Sequence, residues 1–324
     1  MPLVEAEFPL RIGLADAGRE GLYHLQRLGL REDCAVLAVS GAEDGRTFLP
    51  RDWAGRQHAS REALFADPDL DAILLAGPPS ERTGSAMAVL RAGKHLLIPA
   101  PMCLNAREAQ QLLDEAGRLQ RNVAILHPRR WDGDFRTVET FARTGVAGAI
   151  GAARLCERQY GRTAEPHPLP AGDLLLRFGC HSFDQLVRLV PAPVTRIFAR
   201  VAGNPASASS EFTTLFEFAG GATAQVDVSL GSFAPLQTGW ILDGERGGYR
   251  EGVWFRATPD GEVVDVAVER HPSDLDAPYT EAIRELRSPP PVTVSAREAI
   301  RVLRLIDAAR DSAATGEWVR VPAQ

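Results

Sequence analysis

Residues 10–21 read Leu-Arg-Ile-Gly-Leu-Ala-Asp-Ala-Gly-Arg-Glu-Gly. The apolar run Leu10 to Ala15 predicts a strand, the glycine-bearing segment after it a tight turn, and the amphipathic stretch Arg19 to Leu28 a helix. Strand, turn and helix in that order open a βαβ unit.

The alternation continues outward from that unit. Ala35 to Val39 is a second apolar run, followed by a loop and a helix-like Ser60 to Phe65; a third run, Ala72 to Leu75, ends at Gly77-Pro78-Pro79. Helix Arg82 to Ala92 leads through Gly93 to strand His95 to Ile98, and helix Ala106 to Leu119 leads to strand Val123 to His127. Strands and helices alternating at this spacing imply a parallel sheet covered on both faces.

After Pro128 the texture changes. A helix Phe135 to Arg143 and a strand Ala152 to Gln159 precede a Pro- and Gly-rich loop through Gly172, then a helix Ser182 to Val190. Runs rich in Val, Thr, Phe and Ile follow at Thr195 to Val201, Phe212 to Phe218, Ala222 to Val228, Trp240 to Leu242, Tyr249 to Phe255 and Val263 to Val268. Turns such as Gly220-Gly221 and Asp260-Gly261 separate them, which predicts a mostly antiparallel sheet. The expected class is therefore α/β: a Rossmann-type parallel domain over 1–127, then an α+β domain with a large open sheet over 128–324. A closing helix, 296–313, is expected to pack back toward the first domain.

Composition narrows the function. A chain of 324 residues with a formal net charge of -6 lacks the basic surface that general nucleic-acid binding requires. No stretch reaches the length of a membrane span, and Met1 to Leu10 lacks the pattern of a signal peptide, so a cytoplasmic location is expected. Cys34, Cys103, Cys156 and Cys180 form no Cys-x-x-Cys pair; they read as reduced thiols, and no metal site is expected. Lys94 is the single lysine in the chain.

A parallel nucleotide-type domain followed by an antiparallel sheet domain resembles the glucose-fructose oxidoreductase, inositol dehydrogenase and rhizopine-catabolism (Gfo/Idh/MocA) family. Asp67-Pro68-Asp69-Leu70-Asp71-Ala72, Pro78-Pro79-Ser80 and Ala92-Gly93-Lys94-His95 are similar to that family's third-to-fifth strand region. Gly179-Cys180-His181-Ser182-Phe183-Asp184 resembles its Gly-x-His-x-x-Asp segment, and Ser312 to Gly316 its C-terminal helix ending. The resemblance implies an NAD(P)-binding first domain, an active cleft between the domains, and dimers or tetramers built through the open face of the second sheet.

The dinucleotide fingerprint needs glycines for a tight turn, for approach of backbone to pyrophosphate, and for helix packing. Gly18 and Gly21 supply the second and third, but Asp16 stands where the first belongs. A carboxylate there can cap the helix and repel an incoming anion. Two readings stay open: retained binding through Gly18, Gly21, Ser40 and Pro78, or a domain that has lost its nucleotide. Where NAD-using relatives carry an acid after the second strand, this chain has Ser40-Gly41 before Ala42-Glu43-Asp44, with Arg46 as a partner for a 2′-phosphate if the cofactor is NADP. Otherwise Ser40 opens a loop.

The resemblance also implies a Glu-Lys-Pro segment after the fifth strand, whose lysine serves acid-base chemistry. Here the segment is Pro99-Ala100-Pro101, so the lysine position is Ala100. Lys94 lies six residues away, about 20 Å along a strand at ~3.3 Å per residue, and reads as a solvated turn residue. The family's aspartate four residues before its histidine is Arg177 here, while His181 remains. His181 and Tyr160 are the candidate acid-base residues; alternatively His181 and Asp184 hold a helix start. Arg130, Trp131, Arg177 and Asp184, with Arg129 and His167 nearby, are candidates for an anionic or sugar-like ligand, since arginine suits carboxylate and phosphate. The functional expectation is a catalytically degenerate family member that binds a small molecule or a related subunit. The alternative is a working NAD(P)-dependent oxidoreductase with altered acid-base groups.

Overall fold

The computed structural model describes residues 8–16, 18–41, 49, 53–159, 171–203, 210–230, 239–290 and 294–322. In chain order the first elements are β1 (Leu10–Ala15), α1 (Arg19–Leu28), β2 (Cys34–Val39), β3 (Arg56–Gln57), α2 (Arg61–Phe65), β4 (Ala72–Leu75), α3 (Pro79–Arg91), β5 (His95–Pro99), α4 (Ala106–Leu119) and β6 (Val123–Leu126). A 3-10 turn, Pro128–Trp131, leads to α5 (Gly133–Arg143), β7 (Ile150–Gln159), α6 (Ala171–Leu189), β8 (Val194–Gly203), β9 (Ser210–Phe218) and β10 (Thr223–Leu230). The remainder are β11 (Gly239–Gly244), β12 (Gly247–Arg250), β13 (Val253–Ala257), β14 (Val263–Ala267), α7 (Ala277–Arg287), α8 (Val294–Thr315) and β15 (Val319–Arg320).

These elements form two compact units. One comprises Met1–His127 with Asp276–Ile300, the other Pro128–Leu275 with Arg301–Gln324. The first unit holds a parallel sheet in the order β3-β2-β1-β4-β5-β6. Its central strand β4 is buried at every residue, as a strand covered on both faces must be. Helix α4 starts with a reciprocal cap: the Glu108 N–H donates to Asn105 Oδ1 at 2.9 Å, and Asn105 Nδ2 donates to Glu108 Oε1 at 2.9 Å.

Helix α7 joins this unit from far along the chain. Tyr279, Ala282, Ile283 and Leu286 enter the same core as Ile12, Leu14, Leu25 and Leu28. Fully buried Asn122 fixes its end, with Nδ2 directed at the carbonyls of Glu285 (2.9 Å), Leu286 (3.2 Å) and Ser288 (2.8 Å). The last carbonyls of a helix lack intrahelical donors, and this amide supplies them.

The second unit holds a sheet in the order β14-β13-β12-β11-β7-β10-β9-β8-β15. Strands β7 and β10 pair in parallel and the other neighbours are antiparallel. Helix α6 lies on this sheet, with the Phe183 ring edge-on to Phe216 at 4.9 Å. Ser312 of α8 accepts the Ala199 N–H at 2.9 Å and donates to the Glu317 carbonyl at 2.6 Å.

Several expectations need correction. The region through Gly172 read as loop, yet α6 begins at Ala171, eleven residues before the expected Ser182; its leucine run Leu174 to Leu176 is buried. Tyr249 to Phe255 is two strands, because Glu251 (φ 51°) and Gly252 (φ 79°) turn the chain between β12 and β13. Lys94 is buried, its Nζ donating to the carbonyls of Asp67 (2.6 Å) and Leu70 (2.9 Å), so it ties the turn before β4 to the turn before β5. Strands β3 and β15 and helix α7 were not anticipated. Among the described residues no helix is long and apolar enough to cross a membrane.

Helix α1 meets α7 through a polar pair in the core: His24 Nδ1 lies 2.7 Å from the Tyr279 hydroxyl. Burial, with the Arg82 charge adding, lowers the His24 pKa to about 4. Between that value and the ordinary ~6.5, the unfolded chain binds a proton that the folded chain does not. Stability should therefore fall as pH drops through this window, by up to about 3 kcal/mol at its acid end. Unfolding free energies from urea melts of wild type and His24→Gln, taken near pH 7 and near pH 4, should diverge by about that amount; parallel pH dependence in the two proteins would refute the assignment.

Candidate functional site

In the first sheet the strand order reverses between β1 and β4, and in open parallel sheets the crevice beyond the carboxyl ends at such a point is where ligands bind. Asp16 stands at the end of β1 with φ 65°, in the left-handed region that glycine adopts cheaply and aspartate tolerates. Its backbone and side chain lie against three glycines, Gly21, Gly41 and Gly77. A Cβ at Gly21 would come within 2.5 Å of the Asp16 carbonyl oxygen, one at Gly77 would collide with Asp16 Oδ2, and one at Gly41 would lie 3.3 Å from Oδ1. The carboxylate thus occupies the space between the ends of β1, β2 and β4.

Arg61 of α2 holds it there. Its Nε donates to Asp16 Oδ1 at 2.7 Å, its Nη2 lies 2.6 Å from the same oxygen, and that Nη2 also donates to Glu81 Oε2 at 3.0 Å. Helix α1 is not capped by Asp16, contrary to expectation: its N-cap is Gly18, with no side-chain cap. A Cβ at Gly18 would meet open space. Ser40 is buried, its N–H donating to the Leu14 carbonyl at 2.9 Å, while its Oγ has no hydrogen-bond partner among the described residues. Pro78 is exposed at the start of α3. Ala42, Glu43, Asp44 and Arg46 lie outside the described residues.

Ala100 carries no group for proton transfer, and its N–H donates to the Leu126 carbonyl at 3.0 Å. The cation beside it is one that sequence reasoning missed. Arg82 of α3, only 3% exposed, donates through Nη1 to the carbonyls of Pro99 (2.9 Å) and Pro101 (2.5 Å), and through Nε to that of Gly77 (2.6 Å). A guanidinium cannot be deprotonated near neutrality, so Arg82 fixes the strand ends and replaces no acid-base lysine. Its signal in the sequence was an arginine one turn into the helix after Gly77-Pro78-Pro79.

In the second unit the 3-10 turn gathers the other candidates. Arg130 and Asp184, both buried, form a two-pronged pair: Nε to Oδ2 at 2.7 Å and Nη2 to Oδ1 at 2.5 Å. Arg129 donates through Nη1 to both carboxylate oxygens of Glu157 at 2.8 Å. Gln185 links the same turn to β11, donating to the Arg129 carbonyl at 2.7 Å and accepting from Trp240 Nε1 at 3.0 Å. The guanidinium carbons of Arg129 and Arg177 each lie 5.6 Å from the centre of the Phe178 ring. His181 is half-buried one turn beyond Arg177, and Trp131 stacks with Arg136 at 5.8 Å. Neither His181 nor Asp184 lies at a helix start; both are in the second half of α6. Tyr160 and His167 lie outside the described residues. Among the described residues no group of three or more His, Cys, Asp or Glu could hold a metal ion.

Residues 10–127 match the family described as oxidoreductase family, NAD-binding Rossmann fold, and residues 135–250 match that family's C-terminal domain. The chain belongs to the Gfo/Idh/MocA family. Among Gfo/Idh/MocA relatives, the uncharacterized oxidoreductase YdgJ of Escherichia coli is 28% identical over 310 residues, covering 86% of this chain and 88% of that protein. The myo-inositol 2-dehydrogenase of Thermotoga maritima is 24% identical over 192 residues, and the match spans 59% of this chain and 58% of the relative. The crystal structure of GenD2 from gentamicin A biosynthesis, in complex with NAD, superposes with a TM-score of 0.80 at 19% identity over 97% of each chain. That structural likeness establishes the shared fold.

The Arg130–Asp184 pair should be a stability element. Removing one partner strands the other's charge in the core, so Asp184→Ala should cost about 3–5 kcal/mol in a urea melt. Replacing both at once, with Arg130→Met and Asp184→Leu, should cost clearly less. A single substitution milder than the double one would contradict this.

Proposed function

We propose that this family member has closed its dinucleotide crevice with its own side chain and acts as a binding subunit for a small anionic or sugar-like metabolite, or for a related subunit, without hydride transfer. The observation that carries this reading is the Asp16 carboxylate, seated against Gly77 and Gly41 and paired with Arg61. A pyrophosphate brought to the same place meets a fixed negative charge, and the cation that could have welcomed it is already engaged. The residues present therefore do not fit a dinucleotide bound in the family's manner. The loss of a lysine at Ala100 and of a carboxylate at Arg177 removes two acid-base groups that the family resemblance implies.

On the second unit, Arg177 lies against the Phe178 ring one turn from the half-buried His181, a grouping suited to a carboxylate or phosphate on a small body, while Arg129 on the same ring is paired with Glu157. The Arg130–Asp184 pair supports that grouping from within. A second reading has its own observation. Gly18 faces open space and Gly21 keeps its close packing, so two of the fingerprint's glycine positions keep their room, and relatives are named as dehydrogenases. In that case Asp16 and Arg61 would have to part.

Titration with NADH and NADPH, followed by nicotinamide fluorescence, separates the two. Wild type should show no saturable binding below about 1 mM, whereas Asp16→Gly should gain at least about tenfold for one of the cofactors. Glycine suits φ 65° better than aspartate, so the variant should fold. Micromolar binding by wild type would overturn the proposal and return the chain to cofactor-dependent chemistry.

A further inference from the structure

The start of α5 forms one wall of a cavity of about 750 Å³ that lies wholly within the second unit, lined in part by Asp132, Asp134, Trp240, Tyr249, Glu251 and Arg270. A volume of that order suits a small-molecule ligand. A strap, residues 270–274, contributes a second wall and is pinned to α5 and the turn before it. The Gly133 N–H donates to Ser273 Oγ (2.9 Å), Arg136 Nη1 to the Pro272 carbonyl (2.6 Å), the His271 N–H to Thr137 Oγ1 (2.9 Å), and the Asp274 N–H to the Trp131 carbonyl (3.0 Å). Any Cβ at position 133 would collide with the His271 carbonyl, so Gly133 is what allows the strap to lie this close.

The chemistry of the lining is lopsided. Three carboxylates face one guanidinium, and Arg270 is partly spent, its Nη2 donating to the Glu251 carbonyl at 2.7 Å. Trp240 gives its indole N–H to Gln185, so its contribution to the cavity is its ring, and Tyr249 packs against Phe141 at 5.3 Å. The Asp132 side chain makes no hydrogen bond or ion pair with any described residue. Burial, reinforced by the charges of Asp134 and Glu157 and opposed by Arg129, pushes its carboxyl up to about 6. An anionic ligand would be repelled here; a cation would relieve the crowded carboxylates and lie well against aromatic faces.

We propose that this cavity binds a protonated amine carried on a hydroxylated body of monosaccharide size, with the ammonium set among Asp132, Asp134 and Glu251 and the sugar-like body against Trp240 and Tyr249. The site requires nothing of the dinucleotide crevice, so it stands or falls independently of the reading proposed above.

Calorimetry on the full chain near pH 7 with glucosamine, glucose and glucuronate tests it, alongside Asp132→Asn and Glu251→Gln. The Asp132 side chain makes no cap hydrogen bond and asparagine is its near-isostere, so the first variant should fold, and a melting curve checks it; the second lies on an exposed turn. Glucosamine should bind, glucose should be at least about tenfold weaker, glucuronate should not bind, and each substitution should weaken glucosamine by about tenfold or more. Lowering the pH from about 7 to about 5 should also weaken it, as Asp132 takes up a proton amid Asp134, Glu157, Glu251, Arg129, Arg270 and His271. Equal binding of glucose, no glucosamine binding at millimolar concentration, or binding indifferent to both substitutions would overturn the proposal.

Discussion

The left-handed turn at Asp16 is the constraint around which the first unit is arranged. A residue with a side chain in that conformation costs on the order of 1 kcal/mol more than glycine, and aspartate is among the few that accept it. Once there, its carboxylate projects into the place where β1, β2 and β4 end, and the surrounding glycines become its seat. Gly41 and Gly77 lack the carbon that would crowd it, and Gly21 lacks the one that would strike the Asp16 backbone carbonyl. The charge then has to be answered, and Arg61 answers it from α2 while also reaching Glu81. At the position of the fingerprint's first glycine, this chain thus seats a carboxylate and its ion pair.

The same logic governs the second unit with the signs distributed differently. The turn Pro128–Trp131 carries two consecutive arginines, and each is claimed by a carboxylate from a different element: Glu157 on β7 and Asp184 on α6. Gln185 adds the link to Trp240 on β11. Sheet, helix and turn are thereby tied together, and Arg130 holds Asp184 through two nitrogens at once, for which arginine is suited and lysine is not. The single lysine serves a different end: from the turn before β5 it donates to two backbone carbonyls in the turn before β4.

Much of the fold was legible along the chain because local patterns carry it. The six-residue run of β1, the ten residues of α1 and the fourteen of α4 appear where periodicity placed them. Failures occurred where long-range packing decides. The start of α6 at Ala171 is hidden in a Pro- and Gly-rich context, and its leucines show their purpose only against the second sheet. Helix α7 is short and ordinary in composition, and it belongs to the first unit because Tyr279, Ile283 and Leu286 complete a core begun more than two hundred residues earlier. At the candidate site the sequence marked Asp16, Ser40, Arg130, Arg177, His181 and Asp184 as positions of interest. It gave no means of telling which would be spent on one another, since Arg130 and Asp184 are 54 residues apart.

The sequence by itself determined the alternation of strand and helix, the change to β-hairpins, and the absence of a lysine and a glycine from positions where the family resemblance places them. These are properties of residue type and spacing, and they need no knowledge of neighbours. Tertiary structure alone decided that the Asp16 carboxylate turns toward Gly77 and Arg61 instead of capping α1, that Arg82 stands beside Ala100, and that Asp132 shares a cavity with Glu251 and Trp240. The reason is physical: a charge settles according to the desolvation and the partners it finds in three dimensions, and those are supplied by segments that chain order leaves far apart.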